Sequence, residues 1–392
     1  MKKLIYTFLL GAACAMPSLS QNYNISNNTE KNATLLGMLT EEDFKMSNAS
    51  MNLQLFSSAS ANFVGDTLDN TNFNLNRVRL EIKGHVDKWI DFHYRQQFNK
   101  HDDPFTLDNL SSSLELAFIN LHANDALSFR VGKQYINMGG YEYYANAILI
   151  REFSEFNNRV PCYQAGVSTN LVLNKNHDIA FQVANNRTRE DEKMYASGLP
   201  EDVEKTKVPF IYTFSWNGYL LNQSLELHYA TSLAQQAKKK KKAFYVTMGN
   251  TYTKGPLATY LDIMYTHQQI DQQGYISEVP TNPLTAKNTE YLTFIGDIDY
   301  RIHQRWNVCL KGAYETSRVY KTNGDYQKGL YRRSWNIQSS VEFFPFKKLD
   351  LFVFAHYTYR KVIMEDIAKK MGGYQPATQR ASLGVIYTIP IF

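Results

Sequence analysis

The spacing of strand-like segments constrains the fold of this chain more than any other feature. Sixteen such segments follow one another from residue 49, and no segment of useful length with helical periodicity interrupts them. They are residues 49–63, 73–86, 89–99, 112–122, 126–136, 162–173, 178–188, 208–216, 220–231, 243–253, 256–268, 289–300, 305–317, 330–344, 349–361 and 379–391. The joins between these segments are alternately long and short.

The two classes of join belong to opposite ends of the strands. The short joins are 87–88, 124–125, 174–176, 217–218, 254–255, 303–304 and 345–346. The long joins are 64–72, 100–111, 137–161, 189–207, 232–242, 269–288, 318–329 and 362–378. Bacterial membrane barrels have short periplasmic turns and long extracellular loops. The sequence therefore predicts an all-β fold, a transmembrane antiparallel β-barrel of about 16 strands over residues 49–392.

One stretch shows how the faces of the strands are divided. Between Val78 and Val86 every second residue is apolar or glycine. The alternate positions, beginning one residue before Val78, are charged or histidine: Arg77, Arg79, Glu81, Lys83 and His85. A face this charged cannot pack against a second sheet, but it suits a water-filled lumen, with the apolar face turned toward lipid. A soluble all-β protein with two sheets is the remaining structural alternative.

The composition agrees with a barrel. The chain contains 27 Tyr and 23 Phe, residues that favour strands and membrane interfaces. A charged fraction of 20% excludes a helical membrane protein. The formal net charge of +5 is too small to indicate nucleic acid as a partner.

The N-terminus resembles a secretory signal peptide. Lys2 and Lys3 precede an apolar run that is too short to span a membrane, and small residues near Ser20 suit cleavage there. We expect a signal peptide at 1–20 and an N-terminal periplasmic lead-in at 21–48. A lipoprotein anchored at Cys14 is the less favoured alternative. Cys162 and Cys309 have no metal-binding spacing and are predicted to be free thiols.

The candidate pore residues are basic. They lie on the polar faces of the early strands and in the join 137–161: Arg77, Arg79, Lys83, His85, Arg95, Arg130, Arg151 and Arg159. The join is rich in aromatic residues, so we expect it to fold into the barrel and narrow it. Arg and Lys lining a narrow pore select anions and phosphates. The alternative is that these side chains pair with lumenal acids and stabilise the wall.

A run of five lysines follows the ninth strand. Lys238, Lys239, Lys240, Lys241 and Lys242 lie in one long loop. Such runs are commonly solvated loop tips. The functional hypothesis is an electrostatic funnel that concentrates anions at the outer mouth.

The sequence gives little support for an enzymatic function. The sequence has no phosphate-binding glycine loop, no zinc spacing among its histidines and no nucleophilic serine elbow, so we expect neither a cofactor nor a metal. His228 with Glu226, and His267 near Asp262, are more typical of solvated residues on a polar face. A barrel enzyme acting on lipid would need catalytic residues on the apolar face, and none is found there.

Four segments carry a resemblance to a known family. They are NRVRLEIKGHVDKWIDFHYRQQF (76–98), LELAFINLHANDALSFRVGKQYINMGG (114–140), IAFQVANN (179–186) and SSVEFFPFKKLDLFVFAHY (339–357). The chain resembles the phosphate-selective porin O and P family and looks like a member from a Bacteroides-type bacterium. The family typically has a proline just after the strand that ends near residue 136. Here Asn137-Met138-Gly139-Gly140 keeps the glycine and lacks the proline.

The resemblance implies a sixteen-stranded trimeric porin whose third loop folds inward. It also implies an arginine ladder, for which Arg77, Arg79, Arg95 and Arg130 are the candidates, and a lysine cluster. We therefore predict an outer-membrane porin for passive diffusion of small polar solutes, anion-preferring, with phosphate as one candidate solute. The expected partners are outer-membrane lipid, these solutes and two further copies of the chain. The alternative function is a ligand-specific uptake or receptor barrel without enzymatic activity, for which residues 21–48 are too short to form a plug.

Overall fold

The described residues of the computed structural model form a closed antiparallel barrel of sixteen strands. These residues are 48–100, 113–145, 149–160, 162–186, 195, 198–238, 241–281 and 284–392. The strands are β1 Ala49–Val64, β2 Thr67–Asp87, β3 Ile90–Gln97, β4 Leu114–His122, β5 Leu127–Tyr135, β6 Tyr163–Asn174, β7 His177–Asn185, β8 Phe210–Leu220, β9 Leu225–Ala237, β10 Lys241–Lys254, β11 Leu257–Ile270, β12 Lys287–His303, β13 Trp306–Val319, β14 Gly329–Phe343, β15 Asp350–Met364 and β16 Thr378–Pro390. Two short helices, α1 Glu155–Arg159 and α2 Asp366–Lys370, lie between strands in this part of the chain.

Each strand pairs with its neighbours in the sequence, and β16 closes the barrel on β1. Leu53 of β1 lies opposite Ile389 of β16. The predicted sixteen-stranded antiparallel barrel is therefore confirmed. The predicted signal peptide at 1–20 and nearly all of the lead-in at 21–48 lie outside the described residues.

The alternation in the sequence corresponds to the two faces of the wall. On β14, Trp335 and Ile337 are exposed on the outer surface, whereas Asn336 and Gln338 are buried inside the barrel. A period of two places such residues on opposite faces of a strand. The outward apolar surface suits lipid, and the inward polar surface suits a lumen that contains water. No helix among the described residues is long and apolar enough to cross a membrane.

The first join differs from its prediction. Residues 64–72 were expected to form a long loop, but Gly65 and Asp66 make a tight turn and β2 begins at Thr67. Polar side chains hydrogen-bond across this hairpin: Ser60 Oγ donates to Asn72 Oδ1 at 2.7 Å, and Asn62 Nδ2 donates to Asn70 Oδ1 at 2.7 Å. Asparagine usually favours turns, and here these cross-strand bonds stabilise it in a strand.

The main apolar cluster lies inside the barrel, between the wall and the segment that follows β5. Its members from this segment include Ile136, Met138, Tyr141 and Phe156, and Leu116 and Met264 belong to the wall. A second cluster, which includes Ile276 and Tyr331, lies near the end of the barrel that carries the long loops. We call that end the long-loop end and the other the short-turn end. The thiols of Cys162 and Cys309 are both free.

Candidate functional site

Residues 136–162 connect β5 to β6, and we call this segment the lumen loop. Its described residues, 136–145, 149–160 and 162, include many that are buried inside the barrel. Its described residues approach the opposite wall at glycine positions. The Gly140 N–H donates to the His228 carbonyl at 3.1 Å. Gly139 has a φ of +78°, and a Cβ added to it would lie 2.9 Å from the same carbonyl oxygen. Glycine is therefore required for the loop to pass so close to β9.

Two carboxylates of the wall bind backbone N–H groups of the lumen loop. Asp262 of β11 accepts hydrogen bonds from the N–H groups of Tyr141 and Glu142, both at 2.8 Å. Glu315 of β13 accepts from the first two N–H groups of α1 at 3.1 and 3.2 Å. Both carboxylates are buried. Negative charge is favoured at a helix N-terminus, where N–H groups have no partner within the helix. The wall thus holds the loop by its backbone at two separate points.

Charged side chains of the lumen loop also pair with the wall. The pairs are Glu142 with Lys311, Arg151 with Glu342, Glu152 with Arg360 and Arg380, and Glu155 with Arg332. The pair between Glu155 and Arg332 is bidentate, with N–O distances of 2.7 and 2.8 Å. Removing one member of a buried pair leaves an uncompensated charge, which is strongly destabilising. These pairs therefore define one position for the loop.

Arg79 and Arg95, two of the predicted pore residues, lie together on the lumenal face. Both contact Glu115, with N–O distances of 3.4 Å from Arg79 and 2.8 Å from Arg95. Arg95 also lies 3.8 Å from Glu81 and donates to the hydroxyl of Tyr163 at 2.9 Å. All four charged residues, Arg79, Arg95, Glu81 and Glu115, are buried. The pairing alternative considered from the sequence therefore describes the geometry of these two arginines.

Three further predicted residues lie along β2. Arg77 Nε donates to Gln97 Oε1 at 3.2 Å, and its Nη1 atom is buried with no hydrogen-bond partner among the described residues. The Lys83 ammonium lies 3.3 Å from Glu81. His85 is exposed near the short-turn end. These side chains follow one strand, but they do not form one cluster with a common contact.

Arg130 lies apart from the other predicted arginines. Its Nε donates to Asn120 Oδ1 at 2.8 Å, and its guanidinium lies 4.4 Å from the ring centre of Phe118. It lines a small cavity together with Tyr144 and His228, on the side of the lumen loop that faces β8 and β9. Among the described residues, no carboxylate lies within ion-pair distance of Arg130. Its charge is therefore less compensated than those of Arg79 and Arg95.

Arg151 and Arg159 of the lumen loop are placed differently from each other. Arg151 pairs with Glu342 on the far wall. Arg159 is half exposed, 2.9 Å from Glu278 in the join between β11 and β12, and lies over the ring of Tyr275 at 4.8 Å. Both arginines therefore attach the loop to neighbouring parts of the protein.

The lysine run lies at the long-loop end. Lys238 Nζ lies 2.8 Å from Glu204, and both side chains are exposed. The prediction that all five lysines lie in one long loop is wrong, because β9 extends to Ala237 and Lys241 and Lys242 begin β10. Lys239 and Lys240 lie outside the described residues. In the same region Lys287 donates to Asp202, and this hydrogen bond lowers the pKa of the Asp202 carboxyl. Basic and acidic side chains therefore lie side by side at the long-loop end, where Lys238 pairs with Glu204 and Lys287 pairs with Asp202.

The wall residues that hold the lumen loop were not identified from the sequence. Asp262, Lys311 and Glu315 occupy polar positions in the alternation, but nothing local distinguishes them from other lumenal residues. Asp262 lies 121 positions from Tyr141, whose N–H it accepts. The one available signal was that these charges occur on the inward faces of strands. Within the described residues, no group of three or more His, Cys, Asp or Glu residues could hold a metal ion.

Comparisons with solved structures agree with the barrel. The outer membrane channel DcaP of Acinetobacter baumannii has a TM-score of 0.58 and 12% identity, covering 88% of this chain and 99% of that one. An anion-selective porin from Comamonas acidovorans has a TM-score of 0.56 and 10% identity, covering 87% and 99%. OmpT of Vibrio cholerae in its trimer form has a TM-score of 0.51 and 12% identity, covering 87% and 98%. At these identities the likeness concerns the fold.

The search of curated proteins found no match. The family model described as phosphate-selective porin O and P matches residues 48–389. This match covers all sixteen strands except the last residue of β16, includes the lumen loop, and confirms the resemblance seen in the sequence. The chain belongs to the phosphate-selective porin O and P family.

Proposed function

We propose that this outer-membrane porin conducts small polar solutes by passive diffusion and that the lumen loop forms the narrowest part of its channel. The observation that carries the proposal is the attachment of this loop across the lumen, through Asp262, Glu315 and the charged pairs with β13 to β16. A loop held on both sides of a polar lumen divides the cross-section available to solutes. A fixed constriction lined with polar groups is sufficient for passive selection by size and charge.

A moderate anion preference is part of the proposal. Arg130 and Arg77 support it because neither has a carboxylate within ion-pair distance among the described residues. The contacts of Arg79 and Arg95 with Glu115 reduce the field that these two guanidinium groups present to a passing ion. Phosphate is one solute that this arrangement could select. The anion-selective porin from Comamonas acidovorans offers support at the level of the fold.

We also propose a homotrimer exported by the predicted signal peptide. The trimer form of Vibrio cholerae OmpT, which has the same fold, supports the first part. Cross-linking in mild detergent should give a band of three chains, and N-terminal sequencing of the mature protein should begin at Gln21. A monomer under all mild conditions, or an uncleaved N-terminus, would contradict the respective part.

Planar-bilayer conductance tests the channel proposal. The purified trimer should insert in discrete conductance steps, and under a salt gradient its reversal potential should shift toward the equilibrium potential of the anion. A protein that gives no steps although it is folded refutes the passive channel. A shift toward the cation's equilibrium potential refutes the anion preference alone.

A further inference from the structure

A second cavity lies on the other side of the lumen loop from Arg130. The loop contributes Tyr141, Ile150 and Arg151, and strands β12 to β15 contribute the opposite wall. Several wall residues lie close to strand ends at the short turns, including Arg301 and Asn307. We call this space the short-turn cavity.

The short-turn cavity contains two carboxylates without a cationic partner. Asp297 and Asp299 are successive inward residues of β12 and lie opposite Lys311 and Cys309 of β13. Lys311 lies directly opposite Asp297 in the strand pairing, but its ammonium is paired with Glu142 of the lumen loop. Among the described residues, neither aspartate has an ion pair.

Two arginines also line the cavity, and only one of them has an ion pair among the described residues. Arg151 pairs with Glu342, and the guanidinium of Arg301 lies 3.9 Å from the ring centre of Phe344. Among the described residues that line the cavity, one guanidinium, that of Arg301, has no ion pair. Two carboxylates, those of Asp297 and Asp299, have none either. The described lining therefore has more unpaired carboxyl groups than unpaired guanidinium groups, in contrast to the wall near Arg130.

A buried amide provides an independent sign of a missing ligand. Asn307 lines the cavity and is 7% exposed. Its Nδ2 donates to Glu342 at 3.0 Å and lies 3.5 Å from Asp299, but its Oδ1 is buried and accepts no hydrogen bond among the described residues. Leaving a buried acceptor unsatisfied is costly. A hydrogen-bond donor would satisfy the amide oxygen of Asn307, and a positive charge would compensate the two aspartates.

We propose that the short-turn cavity is a binding subsite for small aliphatic amines in their ammonium form. An ammonium group supplies both positive charge and several N–H donors, which match two carboxylates and one amide oxygen. The paired rings of Tyr141 and Tyr260, with centres 4.7 Å apart, border the same space and can lie against the alkyl chain. The inference deepens the proposed function: the lumen loop separates an anion-favouring side from an amine-binding side.

Putrescine, a diamine, is the probe. In planar bilayers, putrescine added at the short-turn side should reduce the wild-type current in a saturable way, and 1,4-butanediol and succinate should not. In the double variant D297N/D299N, the concentration for half-maximal reduction should rise about tenfold or more, the change expected for losing a charge-assisted interaction. The matched control D178N/E226Q removes two other lumenal carboxylates and should respond like the wild type.

Titration calorimetry on the detergent-solubilised trimer separates this inference from the channel proposal. Putrescine binding that D297N/D299N abolishes supports the subsite even if no conductance is seen. A conducting wild type that neither binds putrescine nor is blocked by it overturns the subsite alone. Equal loss in the control variant, or equal block by butanediol, also overturns it. The single variants D297N and D299N, each expected to weaken binding in part, replace the double variant if it does not fold.

Discussion

Asp262 is the residue whose removal should most directly release the lumen loop. Its carboxylate accepts the N–H groups of Tyr141 and Glu142 at 2.8 Å in a fully buried position. A hydrogen bond to a charged group contributes about 1.5–3 kcal/mol, so D262A should weaken this attachment by about 3–6 kcal/mol. D262N keeps one acceptor oxygen and should have an intermediate effect.

The expected result follows from that magnitude. A loss of about 3 kcal/mol lowers the equilibrium constant for the attached loop by about a hundredfold. The charged pairs at residues 151–155 still hold the later part of the loop, so the segment around Tyr141 should move while the rest stays in place. Single-channel recordings should then show a larger mean conductance and more open-channel noise, in the order wild type, D262N, D262A.

A matched variant separates this effect from the loss of a lumenal charge. E226A removes a lumenal carboxylate that pairs with His228 and has no ion pair with the described residues of the lumen loop, so it should leave the noise unchanged. Folding of every variant is checked by its altered mobility on gels without heating. If folded D262A has the conductance and noise of the wild type, the idea that Asp262 holds the loop is refuted.

Three more predictions concern the same region. In K311M the Glu142 carboxylate stays buried without its partner, so unfolding in urea should show a loss of about 3–5 kcal/mol, and K311M/E142L should recover part of it. G139A requires a left-handed backbone at φ +78° and places a Cβ against the His228 carbonyl, so its refolding yield in detergent should fall, whereas G255A, with open space around it, should refold more fully. R130Q should move the reversal potential toward zero under a salt gradient, whereas R79Q should chiefly lower thermal stability, because Arg79 contacts Gln54 and Glu115 inside the wall. Equal shifts in both variants would contradict this distinction.

The wall could be predicted from the sequence because its pattern is local. A period of two fixes which residues face inward, and it does so within each strand, as in β14. The first join was predicted wrongly because Asn70, Asn72 and Asn74 are typical of loops. Their strand conformation depends on partners on β1, including Ser60, that only the paired hairpin provides.

The contacts of Arg79 and Arg95 depend on an irregularity in strand pairing, which the alternation of polar and apolar residues in the sequence does not show. The register between β3 and β4 shifts at Arg95 and Gln96, and Glu115 is the extra residue in β4. Glu115 and Leu116, although adjacent, are therefore both buried. This shift places the Glu115 carboxylate between Arg79 and Arg95. The strand face that is basic in the sequence therefore has two of its arginine charges, those of Arg79 and Arg95, compensated by Glu115 in the barrel.

The closure of β16 on β1 has a consequence for how the protein is made. The side chain of Gln379 donates to the carbonyl of Gly65, 314 positions earlier in the chain. Until β16 is available, β1 and β15 would expose unpaired backbone edges, which promote aggregation. A nascent or truncated chain that ends before Thr378 therefore has no complete wall. Assembly has to wait for the whole polypeptide, and export must keep it unfolded and protected until its last strand arrives.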